Sequence, residues 1–161
     1  MGNQVGDVAT TKPDSTAETT IAADDWQPSI VAFLCNWCSY AGADLAGVSR
    51  LQYGPNVRII RVPCSARVDP QFILKALQNG ADGVLVSGCH PGDCHYIHGN
   101  LVARRKFAVI KKFLEHIGIE SERVQFSWVS ASEGSRFAAL MNSVIDGVKR
   151  VGPSRKLVKE L

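Results

Sequence analysis

Five cysteines carry the chemistry that this sequence offers. Cys35 and Cys38 form a C-x2-C pair in FLCNWCSY, Cys64 stands alone in VPCSARVDP, and Cys89 and Cys94 form a C-x4-C pair in SGCHPGDCHY. Thiolates are soft ligands that select zinc, copper(I) or iron–sulfur centres. Two short pairs and a separate cysteine can supply four thiolates in several combinations. Pairs of these two spacings hold [2Fe–2S] clusters in plant-type ferredoxins. An odd number of thiols cannot pair completely within one chain, and nothing at the N-terminus resembles a secretory signal, so reduced thiols are expected rather than a disulfide framework. A lone buried cysteine is ordinarily an inert small hydrophobe, but that reading does not suit five gathered at strand ends. Two sharper alternatives are a structural zinc-binding interaction module and a thioredoxin-like thiol oxidoreductase using Cys35 and Cys38. The second leaves Cys64, Cys89 and Cys94 without a role.

His90, His95 and His98 flank the second pair. With cysteines already in excess, these histidines are expected to donate hydrogen bonds near the site or to lie on the surface, although histidine does replace cysteine in Rieske centres. Asp93 and Glu133 are candidate acids, but no nucleophile–base–orienter set accompanies them, so no catalytic residue is assigned. Trp37 and Trp128 are expected to pack, with Trp37 shielding the cysteines from water.

The elements that must position these thiols alternate in period. Ile30–Leu34, Val57–Val62, Asp82–Ser87 and Val124–Val129 read as strands, and helices are expected over 41–51, from Asp69-Pro70 to Gly80, over 100–117, and after Ser132 or Ser135. Asp69 is an N-cap with proline at the first helical position. The order β-α-β-α-β-α-β-α predicts a single three-layer α/β domain with a four-stranded, mostly parallel sheet, Rossmann-like or flavodoxin-like. In a parallel sheet the carboxyl ends of the strands share one edge, where ligands of open α/β sheets bind. Each cysteine motif follows one of the first three strands. The fold therefore brings together thiols that the chain spreads over about sixty residues. Helix N-termini aimed at that edge would stabilise thiolate charge. Gly88 and Gly92 would permit close backbone approach and N–H···S bonds.

The remaining arithmetic is ordinary. The chain has 161 residues, 45% apolar and 20% charged, with mean hydropathy near zero. Those values suit one globular domain, and no apolar run approaches the roughly 18 residues of a membrane-spanning helix. Residues 1–29 read as a flexible polar tail, 30–153 as the cysteine-bearing domain and 154–161 as a short basic extension. There is no G-x-G-x-x-G after the first strand and no phosphate-binding loop, which excludes the common nucleotide sites. The net charge of +3 hides an asymmetry: residues 1–100 are net −3 and residues 101–161 net +6. The basic half, with Arg104, Arg105 and Lys106 at its centre, is a candidate docking surface. No aromatic residues interleave with it as in nucleic-acid binders, so no nucleic-acid partner is expected.

FLCNWCSYAGADLAG, RVPCSARVDP, ALQNGADGVLVSGCHPGDCHY and SASEGSRFAALMN together resemble the delta subunit of the methyl-viologen-reducing, F420-non-reducing hydrogenases. The likeness runs from about Ile30 to Pro153 and includes every cysteine. It implies a non-catalytic, cytoplasmic redox subunit carrying a [2Fe–2S] cluster. Such a subunit relays electrons between a hydrogenase or formate dehydrogenase module and a heterodisulfide reductase-type flavin subunit, in an electron-bifurcating complex of anaerobes. The cluster ligands implied are four of Cys35, Cys38, Cys64, Cys89 and Cys94.

Overall fold

The computed structural model describes residues 26–157. The elements run β1 (Ile30–Cys35), α1 (Ser39–Val48), β2 (Val57–Val62), α2 (Pro70–Gln78), β3 (Gly83–Gly88), α3 (Gly99–His116), β4 (Val124–Trp128) and α4 (Gly134–Val151). The four strands form one sheet in the order β2-β1-β3-β4. Every pairing is parallel, with Leu34 opposite Arg61 on one side and Ser87 on the other. The α/β expectation is therefore met, with a sheet that is wholly parallel.

Alternation along the strands divides the core into two layers. Ile30, Ala32, Leu34 and Leu85 face α1 and α4, where they meet Ala43, Ala46, Phe137, Met141 and Val144. Phe33, Val84, Val86 and Val124 face α2 and α3, where they meet Ile73, Leu77, Ile110 and Leu114. β3 is buried at every position, which explains why it reads as a continuous apolar run without polar alternation. Truncating Leu85 to Ala at this double-sided position would cost about 2–5 kcal/mol.

Local boundaries depart from the sequence expectation where capping chemistry intervenes. Asp69 does cap α2, its carboxylate accepting from Gln71 N at 2.9 Å, and Gly80 follows in the left-handed region. α1, however, stops at Val48 rather than reaching Leu51. Arg50 takes a left-handed φ of 55°, and Leu51 N and Arg50 N close back on the carbonyls of Ala46 and Gly47 in a Schellman pattern. At α4 neither Ser132 nor Ser135 is the cap. Residue 133 precedes the helix, and its carboxylate accepts from Ser130 N at 2.7 Å.

Of the segments expected as tail and extension, residues 1–25 and 158–161 lie outside the described residues. Nearer the domain the chain is tied down. Trp26 packs against the α1/α4 core layer, and Asn56 donates to the Pro28 carbonyl. Asp82, at the start of β3, accepts from Ser29 N through one oxygen and from Ser154 N through the other. Arg123 belongs to the same end of the sheet and is buried, although the charge arithmetic counts it in the basic half. It donates to the carbonyls of Asp82, Val151 and Pro153 and pairs with Glu120 at 2.6 Å.

The Arg123 guanidinium holds the Glu120 carboxyl down at about 2, against an ordinary value of 4.5. A carboxylate whose pKa is depressed by folding contributes stability that is complete above its unfolded value and is lost as pH falls toward the folded one. Resistance to denaturant should accordingly weaken as pH falls from about 4.5 to 2. Glu120→Gln should flatten that limb. Arg123→Met, which strands several carbonyls, should lower stability at neutral pH by about 1–3 kcal/mol.

Candidate metal centre

β1 and β3 are central neighbours, and the chain leaves β1 toward β2 in one direction and reaches β3 in the other. Their carboxyl ends therefore form the topological switch point of the sheet. Cys35 is the last residue of β1, Cys38 precedes α1, and Cys89 follows β3 directly. The sulfurs of Cys35, Cys38 and Cys89 all lie within 4.8 Å of one another. Cys38 and Cys89 are 2.7 Å apart, and Cys35 and Cys89 3.8 Å. Two thiolates on one tetrahedral metal at about 2.3 Å stand about 3.8 Å apart; the Cys35–Cys89 distance fits that spacing, whereas Cys38 and Cys89 stand closer and would have to separate to share an ion.

Cys64 and Cys94 complete the group. All five cysteines form one buried cluster, none more than 9% exposed, and all are free thiols. Cys64 precedes a 3-10 turn at Ser65–Arg67, and Cys94 lies in the loop before α3. Both sulfurs crowd Gly99, the first residue of α3. A Cβ there would overlap Cys64 Sγ and stand 3.2 Å from Cys94 Sγ. Glycine at 99 is thus a steric condition for bringing the last two thiols inward.

Backbone donors surround the sulfurs. The N–H groups of Trp37 and Ser65 bond to Cys35, that of Ala66 to Cys64 and that of His95 to Cys89. These residues supply the N–H···S bonds, whereas Gly88 and Gly92 do other work. Gly88 leaves the room that Ser65 Oγ occupies, and Gly92 turns the loop with φ of 95°. Ser65 Oγ itself is buried without a hydrogen-bond partner. The starts of α1 and α3 both abut the cysteines, which adds favourable dipoles for negative sulfur.

The thiols compete for charge. The S–H of Cys38 donates to Cys89 at 2.7 Å, and the adjacent Cys38 thiol, with backbone donors, holds the Cys35 thiol down to about 5. Its neighbour Cys35, together with burial, pushes the Cys38 thiol far up. Burial pushes Cys89 up to about 11 and raises Cys64 as well. One thiolate is favoured and its neighbours stay protonated unless a cation joins them.

A supporting layer escaped the sequence reading. Asn100, almost wholly buried, donates to the carbonyls of Cys89 and His90 at 3.0 and 2.6 Å, while its own oxygen accepts from Leu101 N. The Gly-Asn pair at a helix start was the available signal. His90 Nε2 meets Glu133 Oε2 at 2.7 Å and so joins the third-strand loop to the start of α4. Asp93 stands exposed in its loop, and His95 and His98 are exposed too. Trp37 is not a packing residue. It is half exposed, and its ring stacks on His95 at 3.7 Å. Trp128 is partly buried, with Arg104 over its ring and its Nε1 lacking a partner.

Comparison with known proteins gives a consistent answer. Residues 30–152 match the family model described as methyl-viologen-reducing hydrogenase, delta subunit. The chain is 55% identical over 131 residues to the iron-sulfur subunit of the vhc F420-non-reducing hydrogenase from Methanococcus voltae, a match that covers 81% of this chain and 91% of that protein. It is 51% identical over 131 residues to the iron-sulfur subunit of an F420-non-reducing hydrogenase from Archaeoglobus profundus, covering 81% and 96%. It is also 52% identical over 126 residues to one subunit of the ferredoxin/F(420)H(2)-dependent CoB-CoM heterodisulfide reductase of Methanosarcina acetivorans. That match takes 78% of this chain and only 16% of the relative, so there the domain is one part of a much longer protein.

The charge competition among the thiols yields a direct expectation. Metal-free protein should show thiolate absorbance in the ultraviolet at neutral pH, lost as pH falls through the Cys35 value of about 5. Cys35→Ser should move that titration upward, because the remaining thiols are buried.

Proposed function

The chain belongs to the delta-subunit family of methyl-viologen-reducing hydrogenases, and from that premise we propose that it is the electron-transfer subunit of a hydrogenase–heterodisulfide reductase complex, holding a [2Fe–2S] cluster. The observation that carries the reading is the convergence of Cys35, Cys38 and Cys89 within 4.8 Å at the switch point, with Cys64 and Cys94 in the same buried group. The ligands are Cys35, Cys38, Cys89 and one of the two thiols that crowd Gly99; the fifth is the spare. When bound, such a cluster takes up and releases one electron at a time.

The chain's own residues account for the rest. Trp37, Ser65, Ala66 and His95 turn their N–H groups to sulfur, which favours thiolate over thiol and tunes the potential. Burial of every cysteine keeps water from the sulfurs. Asn100 fixes the Cys89–His90 backbone, so the third-strand ligand does not swing when charge changes. The flavin-bearing heterodisulfide reductase subunit is the proposed partner on one side. The relative in which this domain forms part of a longer heterodisulfide reductase polypeptide supports that pairing. A hydrogenase or formate dehydrogenase module is proposed on the other, within a cytoplasmic, electron-bifurcating assembly of an anaerobe. Among the described residues no helix is long and apolar enough to cross a membrane.

Anaerobic purification should give a coloured protein with iron and acid-labile sulfide in equal amounts and a one-electron EPR signal on reduction. Ser replacement of Cys35, Cys38 or Cys89 should each abolish or transform the signal, while one of Cys64→Ser and Cys94→Ser is silent. Gly99→Ala should lower iron content several-fold. A colourless zinc protein after cluster reconstitution would overturn the assignment. So would dithiol–disulfide activity that depends on Cys35 and Cys38 but survives Cys89→Ser.

A further inference from the structure

The 3-10 turn after β2 carries a polar side chain with nothing to bond. Ser65 is 2% exposed, and its hydroxyl is buried without a hydrogen-bond partner. Buried polar groups are nearly always paired, because leaving one unpaired forfeits its hydration for no return. Trp128 Nε1 is the other such group among the described residues, but it lies on the edge strand β4 with Arg104 over its ring. Ser65 instead lies among the cysteines.

Its place is fixed from three sides. Cys64 precedes it in the chain, and its own N–H bonds to Cys35. Its Oγ fills the space over Gly88, 2.5 Å from where a Cβ of that residue would stand. Phe33 and Val86 are register partners in β1 and β3, and both face α2 and α3. Cys35 and Gly88 each lie two residues further on, so they share that face at the carboxyl end of the sheet. The space that Gly88 leaves, and the hydroxyl within it, are therefore beside Cys35.

Two kinds of acceptor suit a hydroxyl here. One is a water in the adjoining void, whose volume of about 10 Å³ is at the lower limit for a single molecule. A buried water needs about two to four polar partners. The only other polar side chain lining that void is Lys106, and its Nζ already donates to the Ala66 carbonyl. The other acceptor is sulfur. The thiols by themselves give the hydroxyl no partner, whereas a bound cluster adds inorganic sulfide and makes its ligand sulfurs negative.

We infer that the Ser65 hydroxyl donates a hydrogen bond to a sulfur of the [2Fe–2S] centre and thereby raises its reduction potential, a step that rests on the cluster reading above. One-electron reduction adds negative charge to the sulfurs, so a hydrogen bond to them strengthens and favours the reduced state. The proton stays on the serine oxygen throughout. The other donors to sulfur are backbone N–H groups, present whatever the side chain. Ser65 is thus a position at which a side chain sets the potential without changing a ligand.

The test uses the full chain loaded with its cluster under anaerobic conditions. Dithionite titrations followed by EPR give the midpoint potential, and proton ENDOR in H2O and D2O counts exchangeable protons coupled to the reduced centre. Ser65→Ala should keep the iron and sulfide content of the parent and lose one exchangeable coupling. At the parent's midpoint potential its ratio of reduced to oxidised centre should fall about threefold or more. Ser65→Thr, which keeps the hydroxyl, should retain both the potential and the coupling. The inference fails if Ser65→Ala matches the parent in both readouts, the result expected of a hydroxyl bonded to water. It fails too if Ser65→Thr shifts as far as Ser65→Ala, or if Ser65→Ala loses its iron, since the hydroxyl would then serve packing or assembly. A parent without iron, sulfide or an EPR signal would instead overturn the cluster reading itself.

Discussion

β1 and β3 lie side by side in parallel register, and the site at their ends depends on that one pairing. A right-handed crossover cannot return a chain directly to the neighbouring parallel strand without a helix between them. β2 is inserted on the far side of β1 before β3 is laid down, so the helices that follow β1 and β2 lie on opposite faces of the sheet. A notch is left where they diverge. Cys35 and Cys89 occupy that notch as consequences of register, and the short turn to Cys38 is all the local structure that the third sulfur needs. Small residues then decide how far the remaining loops can close. Gly99 admits Cys64 and Cys94, and Gly88 admits Ser65.

Within the notch, electrostatics and burial oppose each other. Packing several thiols away from water disfavours their ionised forms, while backbone N–H groups and helix ends favour negative sulfur. Metal-free protein resolves the conflict by concentrating charge on Cys35 and leaving its neighbours as donors. A cationic centre of the proposed kind would remove the conflict for the four thiols that it takes as thiolates. The arrangement is therefore better explained by a bound centre than by the thiols alone. The orphaned hydroxyl of Ser65 belongs to the same immediate surroundings.

Much of this was legible in the amino-acid sequence because it depends on period and punctuation. The apolar runs, the Asp69-Pro70 start and the stop at Gly80 are local signals with local causes, and once the strands are placed the cysteine motifs fall on one edge. What escaped depends on contacts between distant segments. The end of α1 is set by a Schellman closure on Arg50, a residue with no sequence preference for that role. Glu133 reads as a candidate acid, yet its bonds run to Ser130 N and His90, and the latter lies more than forty residues earlier. Trp37 reads as packing because tryptophans usually pack; its ring instead meets His95 from another loop. Arg123 reads as surface charge, but the carbonyls that it satisfies come from β3 and the residues after α4.

The Asp82 clasp carries a consequence for architecture. By accepting from Ser29 N with one oxygen and Ser154 N with the other, it gathers the incoming and outgoing segments at the amino ends of the strands, a sheet's length from the thiols. A polypeptide extended in either direction therefore departs from the pole opposite the redox edge. The domain can be spliced into a longer chain without a linker crossing its working face. Covalent attachment of that sort replaces a bimolecular encounter with a tethered one, whose effective concentration is set by the linker. The same fold can thus serve as a separate subunit or as a module of a larger protein, with its sulfur-bearing end free in either case.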